Sequence, residues 1–207
     1  MGGIETEVNK YPWKVISCNE HSLFIVFVHT TNKEKRASLQ HLYIMAHVFQ
    51  DKKSMLFQVA LVDPGFSSPW CGGSLVSAQH VLTAGHCVHG HTNTSIQVLV
   101  AEHDTTDNVA ERHNVSSITT HPSFNHFTAD YDFAILTLEV PINDSTKAAP
   151  ICLPESVSSL YTGEVVTATG WGDTSLGGSP SATLQEVNLT IISNEECISA
   201  YGNRINR

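Results

Sequence analysis

The stretch CGGSLVSAQHVLTAGHC, residues 71–87, decides how this chain is read. It passes through the strand-like Val81-Leu82 and ends with an imidazole beside a thiol, His86-Cys87. Near neutral pH an imidazole is the side chain best matched to moving protons. The question is what such a proton acceptor would work on. A bland reading stands beside it: the chain holds 12 histidines, and a lone histidine is more often structural or solvent-facing.

Outward from this stretch the sequence reads as all-β. The apolar runs QVLVA, FAILTLEV, EVVTATGWG and LQEVNLTII are rich in Val, Ile and Thr. Clusters of Gly, Pro, Asn, Asp and Ser separate them, the spacing of a barrel or sandwich. A short helix is expected in SNEECISAYG, with Ser193 as N-cap, Glu196 three residues on to complete a capping box, and Gly202 as the stop. A net charge of −9 argues against nucleic acid as a partner and leaves no polybasic patch for a membrane surface. The longest apolar run, LFIVFV at 23–28, falls far short of the roughly 20 residues of a membrane span. The opening MGGIETEVNK has neither the basic nor the apolar region of a secretory leader. Four N-glycosylation sequons, at Asn93, Asn114, Asn143 and Asn188, favour a secreted protein.

Residues 15–58 break the pattern. They contain no glycine and no proline, although the chain holds 13 and 8. All-β chains seldom run so far without turn residues. Joining Lys14 to Val59 restores one strand-like run, YPWKVALVD. Every Val15 codon begins with GT, and Phe57-Gln58 can be encoded as TTTCAG, the borders of an intron. The expectation is that 15–58 is a non-native insert, retained intron sequence. The alternative is a genuine surface-loop insertion, which chains tolerate well.

With 15–58 set aside, five motifs fall in order: GGIETEVNKYPW near the start, residues 71–87, DYDFAIL at 130–136, PICLP at 150–154 and ATGWG at 168–172. Together they resemble the trypsin-like serine proteases of the chymotrypsin family, across 1–14 and 59–207. The resemblance implies a chymotrypsin-like pair of antiparallel six-stranded β-barrels with the site in the cleft between them. Residues 1–14 and 59–145 would form the first barrel, and 146–207 the start of the second. The Ser-His-Asp mechanism is the one this family defines, so its roles are carried over by resemblance. They make His86 the general base and Asp132 the buried carboxylate that orients it. Asp130 lies two residues early and outside the motif position. They also pair Cys71 with Cys87, fixing the loop that holds the imidazole. The family more often has alanine where Gly85 stands. His80, His89, His91, His103, His113, His121 and His126 lack the flanking pattern and read as surface or loop residues.

The family's nucleophile lies in a Gly-Asp-Ser-Gly-Gly turn, and no such turn occurs in these 207 residues. Ser74, in the strand motif CGGSLV, and Ser179, in a Gly/Pro-rich loop, are poor substitutes. The Ile-Val-Gly-Gly-like start that activation exposes is also missing, Met1 preceding Gly2-Gly3. In a related triad, loss of the nucleophile alone lowers turnover roughly a million-fold. Loss of the oxyanion donors removes what remains. The expectation is therefore a truncated member of the family, inactive as written. A half-built second barrel would leave open sheet edges and favour aggregation.

An odd count of 5 cysteines agrees. Cys197 and Cys152 would find partners outside the sequence, and Cys18 falls in the suspect segment. The loop AEHDTTDNVAE resembles one where relatives hold calcium, here through Glu102 and Glu111, but a solvated acidic loop is favoured. Trp13, Trp70 and Trp171 read as packing residues. No cofactor and no metal are expected. The partners implied are protein or peptide substrates, with a monomeric, extracellular protein. The competing reading is a non-catalytic homologue that binds or regulates, and a third is an aberrant product without function.

Overall fold

A computed structural model describes residues 56–107, 109–151, 162–174, 179–193, 195, 196 and 199, with the backbone of strands 25–28 and 42–47. In chain order the strands are β1 (Ile25–Val28), β2 (Leu42–His47), β3 (Gln58–Val62), β4 (Cys71–Ser77), β5 (His80–Thr83), β6 (Gln97–Val100), β7 (Glu111–Thr120), β8 (Ala134–Leu138), β9 (Val165–Gly170) and β10 (Gln185–Thr190). A one-turn helix, α1 (Gly85–Val88), and a 3-10 turn (Asn93–Ser95) lie between β5 and β6. The chain divides into two compact units.

One unit, Phe49–Glu155 with Ala182–Leu184, contains a closed barrel in the order β3-β4-β5-β8-β7-β6. Every neighbouring pair is antiparallel, and β6 returns to β3 to close the ring. Closure removes the sheet edges that an open arrangement would expose. The alternation of β8, with Ala134, Leu136 and Leu138 buried and their neighbours half-buried, is the period-2 pattern of a strand with one face inward. Leu61, Leu75, Ile96, Leu99, Leu136 and Leu138 are fully buried, and each such side chain contributes about 1.5–3 kcal/mol when withdrawn from water. Gly73 is needed for close approach of strands: a Cβ there would lie 2.7 Å from Val81 Cγ1 and 3.0 Å from the Leu82 carbonyl oxygen.

The other unit holds a four-stranded sheet in the order β1-β2-β9-β10. β9 and β10 pair over their whole length, from Val165↔Thr190 to Gly170↔Gln185. β2 pairs with β9 at Met45↔Thr169, Ala46↔Ala168 and His47↔Thr167. Two strands of this sheet therefore come from within 15–58. Downstream, the Glu196 amide donates to Ser193 Oγ (3.1 Å), and the Ser193 amide donates to Glu196 Oε2 (3.4 Å). That is the capping box expected from the sequence. Gly202 lies outside the described residues, as do Cys18, Cys152, Cys197 and Trp13.

The fold class is as expected from the resemblance: mostly strands, one closed antiparallel barrel and a partial second sheet. Trp171 is buried and Trp70 stacks on His91 with ring centroids 4.7 Å apart, both packing roles.

Candidate active site

His86 is held from several sides. β5 ends at Thr83, whose buried hydroxyl donates to the Gly72 carbonyl at 2.8 Å and ties β5 to β4. Ala84 then turns the chain into α1, which carries His86 on its second residue. Cys87 is joined by a disulfide to Cys71 at the head of β4. Both ends of the 71–87 stretch are thus closed on each other around the histidine. Among the described residues, the Cys, His and carboxylate groups near enough to share an ion are Cys71, His86 and Cys87, and both sulfurs are engaged in that disulfide.

Asp132 arrives from the loop joining β7 to β8. The loop is pinned by the Asn125 amide donating to the Asp130 carbonyl at 3.0 Å. Ala129 and Tyr131 adopt left-handed backbone, with φ of 57° and 51°. For residues with a Cβ this conformation is unfavourable by roughly 1–2 kcal/mol. A local bond and a ring contact hold it: the Phe133 amide donates to the Tyr131 carbonyl at 2.8 Å, and the His121 ring stacks on Tyr131 with centroids 4.7 Å apart. The turn sends the Asp132 side chain inward, where it is 2% exposed. Asp130, two residues earlier, accepts a bond from the Thr128 hydroxyl at 2.6 Å.

The two residues meet through both carboxylate oxygens. Asp132 Oδ1 accepts from the His86 backbone amide at 2.7 Å, and Oδ2 pairs with the ring nitrogen Nδ1. One contact fixes the helix start and the other fixes the ring. An ionised carboxylate only accepts, so Nδ1 carries the proton and Nε2 carries the lone pair. The imidazole side chain is 20% exposed, while its Nε2 atom is itself buried. The pair can therefore take up a proton at Nε2 while the carboxylate steadies the imidazolium that forms.

Gly85 acquires a physical reason here that its sequence position did not supply. A Cβ on Gly85 would lie 3.0 Å from Phe124 Cδ2 and 3.2 Å from Asp132 Oδ1. An alanine methyl there would be in tight contact with both, and the Phe124 ring would have to give by a few tenths of an ångström. Nothing in the motif singled out Phe124, because the contact joins residues distant in sequence.

Other residues fall as follows. Ser74 is buried within β4, paired in register with Gln58, and Ser179 lies in an exposed loop of the other unit. His80, His89, His91, His103 and His126 are exposed and His121 is half-buried. His113 departs from the surface expectation: it lies in β7 with its side chain 10% exposed, its Nε2 3.2 Å from Glu111 Oε1. The acidic loop departs too. Glu102 is buried, and neither of its oxygens makes a well-formed hydrogen bond among the described residues. Burial, and then the charge of Asp107, raises its carboxyl above the usual range, against the His103 amide and the Arg112 guanidinium. Glu111 instead meets Lys147 Nζ at 3.1 Å.

A closed antiparallel barrel carrying an Asp-oriented histidine at a strand end places the molecule in the class of chymotrypsin-like proteins. Comparison with known families agrees: the Trypsin family model matches residues 45–207, and the chain belongs to that family of serine endopeptidases. The chain is 36% identical over 156 residues to a venom serine protease of Polistes dominula, covering 72% of this chain and 54% of that protein. It is 36% identical over 146 residues to trypsin 5G1 of Aedes aegypti, 70% of this chain and 53% of that one. Against the serine proteinase stubble of Drosophila melanogaster it is 39% identical over 143 residues, 66% of this chain and 18% of the relative. The chain thus spans about half the length of the first and second of these relatives and less than a fifth of the third.

Proposed function

We propose that this chain is the His–Asp portion of a secreted serine endopeptidase acting on protein or peptide substrates as a monomer. His86 is its general base and Asp132 the carboxylate that sets the base's tautomer. The observation that carries the reading is the double engagement of Asp132, one oxygen on the His86 amide and the other on its ring. A carboxylate placed only to cap a turn has no use for the ring contact. The 207 residues contain no Gly-Asp-Ser-Gly-Gly turn, so by themselves they are inactive and the nucleophile belongs to further chain. Extracellular location is supported by the sequons, by the disulfide and by relatives named as venom proteases. Sequencing the genomic DNA downstream of Arg207 tests the proposal: an exon encoding Gly-Asp-Ser-Gly-Gly upholds it. A downstream exon with the serine replaced would contradict it and favour the non-catalytic homologue.

A further inference from the structure

Three of the four sequons gather at one end of the barrel. The Asn93 side-chain amide donates to the Val115 carbonyl at 3.3 Å, which seats Asn93 beside Asn114. The Glu139 amide donates to the Asn114 carbonyl at 2.9 Å, and the Asn114 side-chain amide donates to Glu139 Oε2 at 3.1 Å. Asn143 is exposed in the loop after β8, next to Ile142, whose amide donates to the Ala78 carbonyl between β4 and β5 at 2.8 Å. Asn93 and Asn114 line one cavity of about 210 Å³ together with Gln97, Ile96 and Glu139. Glu139 lies just past the last residue of β8, whereas Asp132 lies just before its first. At about 3.3 Å per extended residue, the two ends stand some 20 Å apart.

The three asparagines differ in what a sugar would disturb. Asn114 is exposed on the outward face of β7, and its bonds to Glu139 and Gln97 are solvent-exposed ones that water can replace. Asn143 is exposed. Asn93 is half-buried, and its amide bonds to the backbone carbonyl of a buried residue, Val115. A sugar on that nitrogen would crowd the contact and press into the cavity that Asn114 already borders.

We propose that Asn114 and Asn143 carry N-linked oligosaccharides in the folded secreted protein, that Asn93 stays bare, and that the glycans crown the barrel end remote from His86 and Asp132. This rests on the secretory part of the proposed function. In the transfer, the asparagine amide nitrogen attacks the anomeric carbon of a lipid-pyrophosphate-linked oligosaccharide. The N–C bond forms, the C–O bond to phosphate breaks, and the lipid pyrophosphate leaves with the electron pair. The amide proton passes to a base of the transferring enzyme, and nothing is oxidised or reduced. Placement at the far end leaves the approach to the catalytic pair clear of bulky carbohydrate.

The test expresses the full chain behind a cleavable secretory leader in insect cells, with Asn188→Gln throughout so that only the barrel sites are scored. Folded, secreted product is compared by gel before and after peptide-N-glycosidase, and its peptides are mapped by mass. Sugar transfer precedes folding, so Asn93 is bare in the product because chains glycosylated there fail to fold, and the folded, secreted fraction alone is scored. The expected result is two glycans on the parent, one on Asn114→Gln, Ser116→Ala or Asn143→Gln, and two still on Asn93→Gln. An unchanged ladder for Asn114→Gln or Asn143→Gln overturns the proposal, as does a lost step for Asn93→Gln. The leader makes this independent of location: bare protein from the native source, with the expected ladder here, counts against secretion and leaves the site assignment standing.

Discussion

At the scale of single residues, two carboxylates sit in opposite settings. Asp132 is buried but fully engaged, its two oxygens on two donors of His86. In the complete protein, Asp132→Asn should keep the geometry and let the imidazole adopt the wrong tautomer. The expected loss is about 10⁴-fold in kcat, read by hydrolysis of a peptide substrate. Glu102 is buried without well-formed hydrogen bonds, and burial raises its carboxyl. The folded state thus holds a proton where the unfolded chain has lost it. The resulting stabilisation is complete below the ordinary glutamate pKa and fades as pH rises through the raised folded value. Glu102→Gln should therefore raise Tm relative to the parent near pH 7, and the gain should vanish by about pH 4, where both states carry a neutral group. A thermal melt series across that range checks the sign. The pairing of His86 with Asp132 was legible because both lie in contiguous motifs. Phe124 was not legible, because its role lies in a contact with Gly85 that only folding creates.

At the scale of elements, the apolar runs found their strands: QVLVA contains β6, FAILTLEV contains β8, and the Thr-rich runs contain β9 and β10. The strand expected from Phe133 begins instead at Ala134, because Phe133 is spent in the turn, its amide bonded to the Tyr131 carbonyl. That turn was hidden in the sequence, since Ala129 and Tyr131 are not residues that favour left-handed backbone. The element holding the base should be the most sensitive to its covalent tie. The disulfide spans a sequence separation of 16, and a closed loop of that length contributes about 3 kcal/mol on the chain-entropy account. The double variant Cys71→Ser/Cys87→Ser should lose roughly that much in denaturant unfolding. A loss under about 1 kcal/mol would show that the barrel holds α1 without it.

At the scale of the whole molecule, two observations bear on 15–58. β1 and β2 lie inside it and β2 pairs with β9, and the family match opens at residue 45. A genuine insertion accounts for those features, whereas the missing Gly and Pro and the intron-like codon borders account for a retained intron. Reverse-transcription PCR across the junction of Lys14 and Val59 separates them. We propose the intron, and expect a shorter product joining the two; a single product carrying the segment would mean the insertion is real. The central claim is that an oriented base and its carboxylate stand here without the hydroxyl they activate. A fluorophosphonate probe, which bonds only to an activated serine, measures it most directly on the purified chain beside the same chain given an exposed Ile-Val-Gly-Gly start and extended through its Gly-Asp-Ser-Gly-Gly exon. No labelling is expected of the 207-residue chain, and labelling of the extended one is expected that His86→Ala abolishes. Heat-sensitive labelling of the 207-residue chain itself would contradict it.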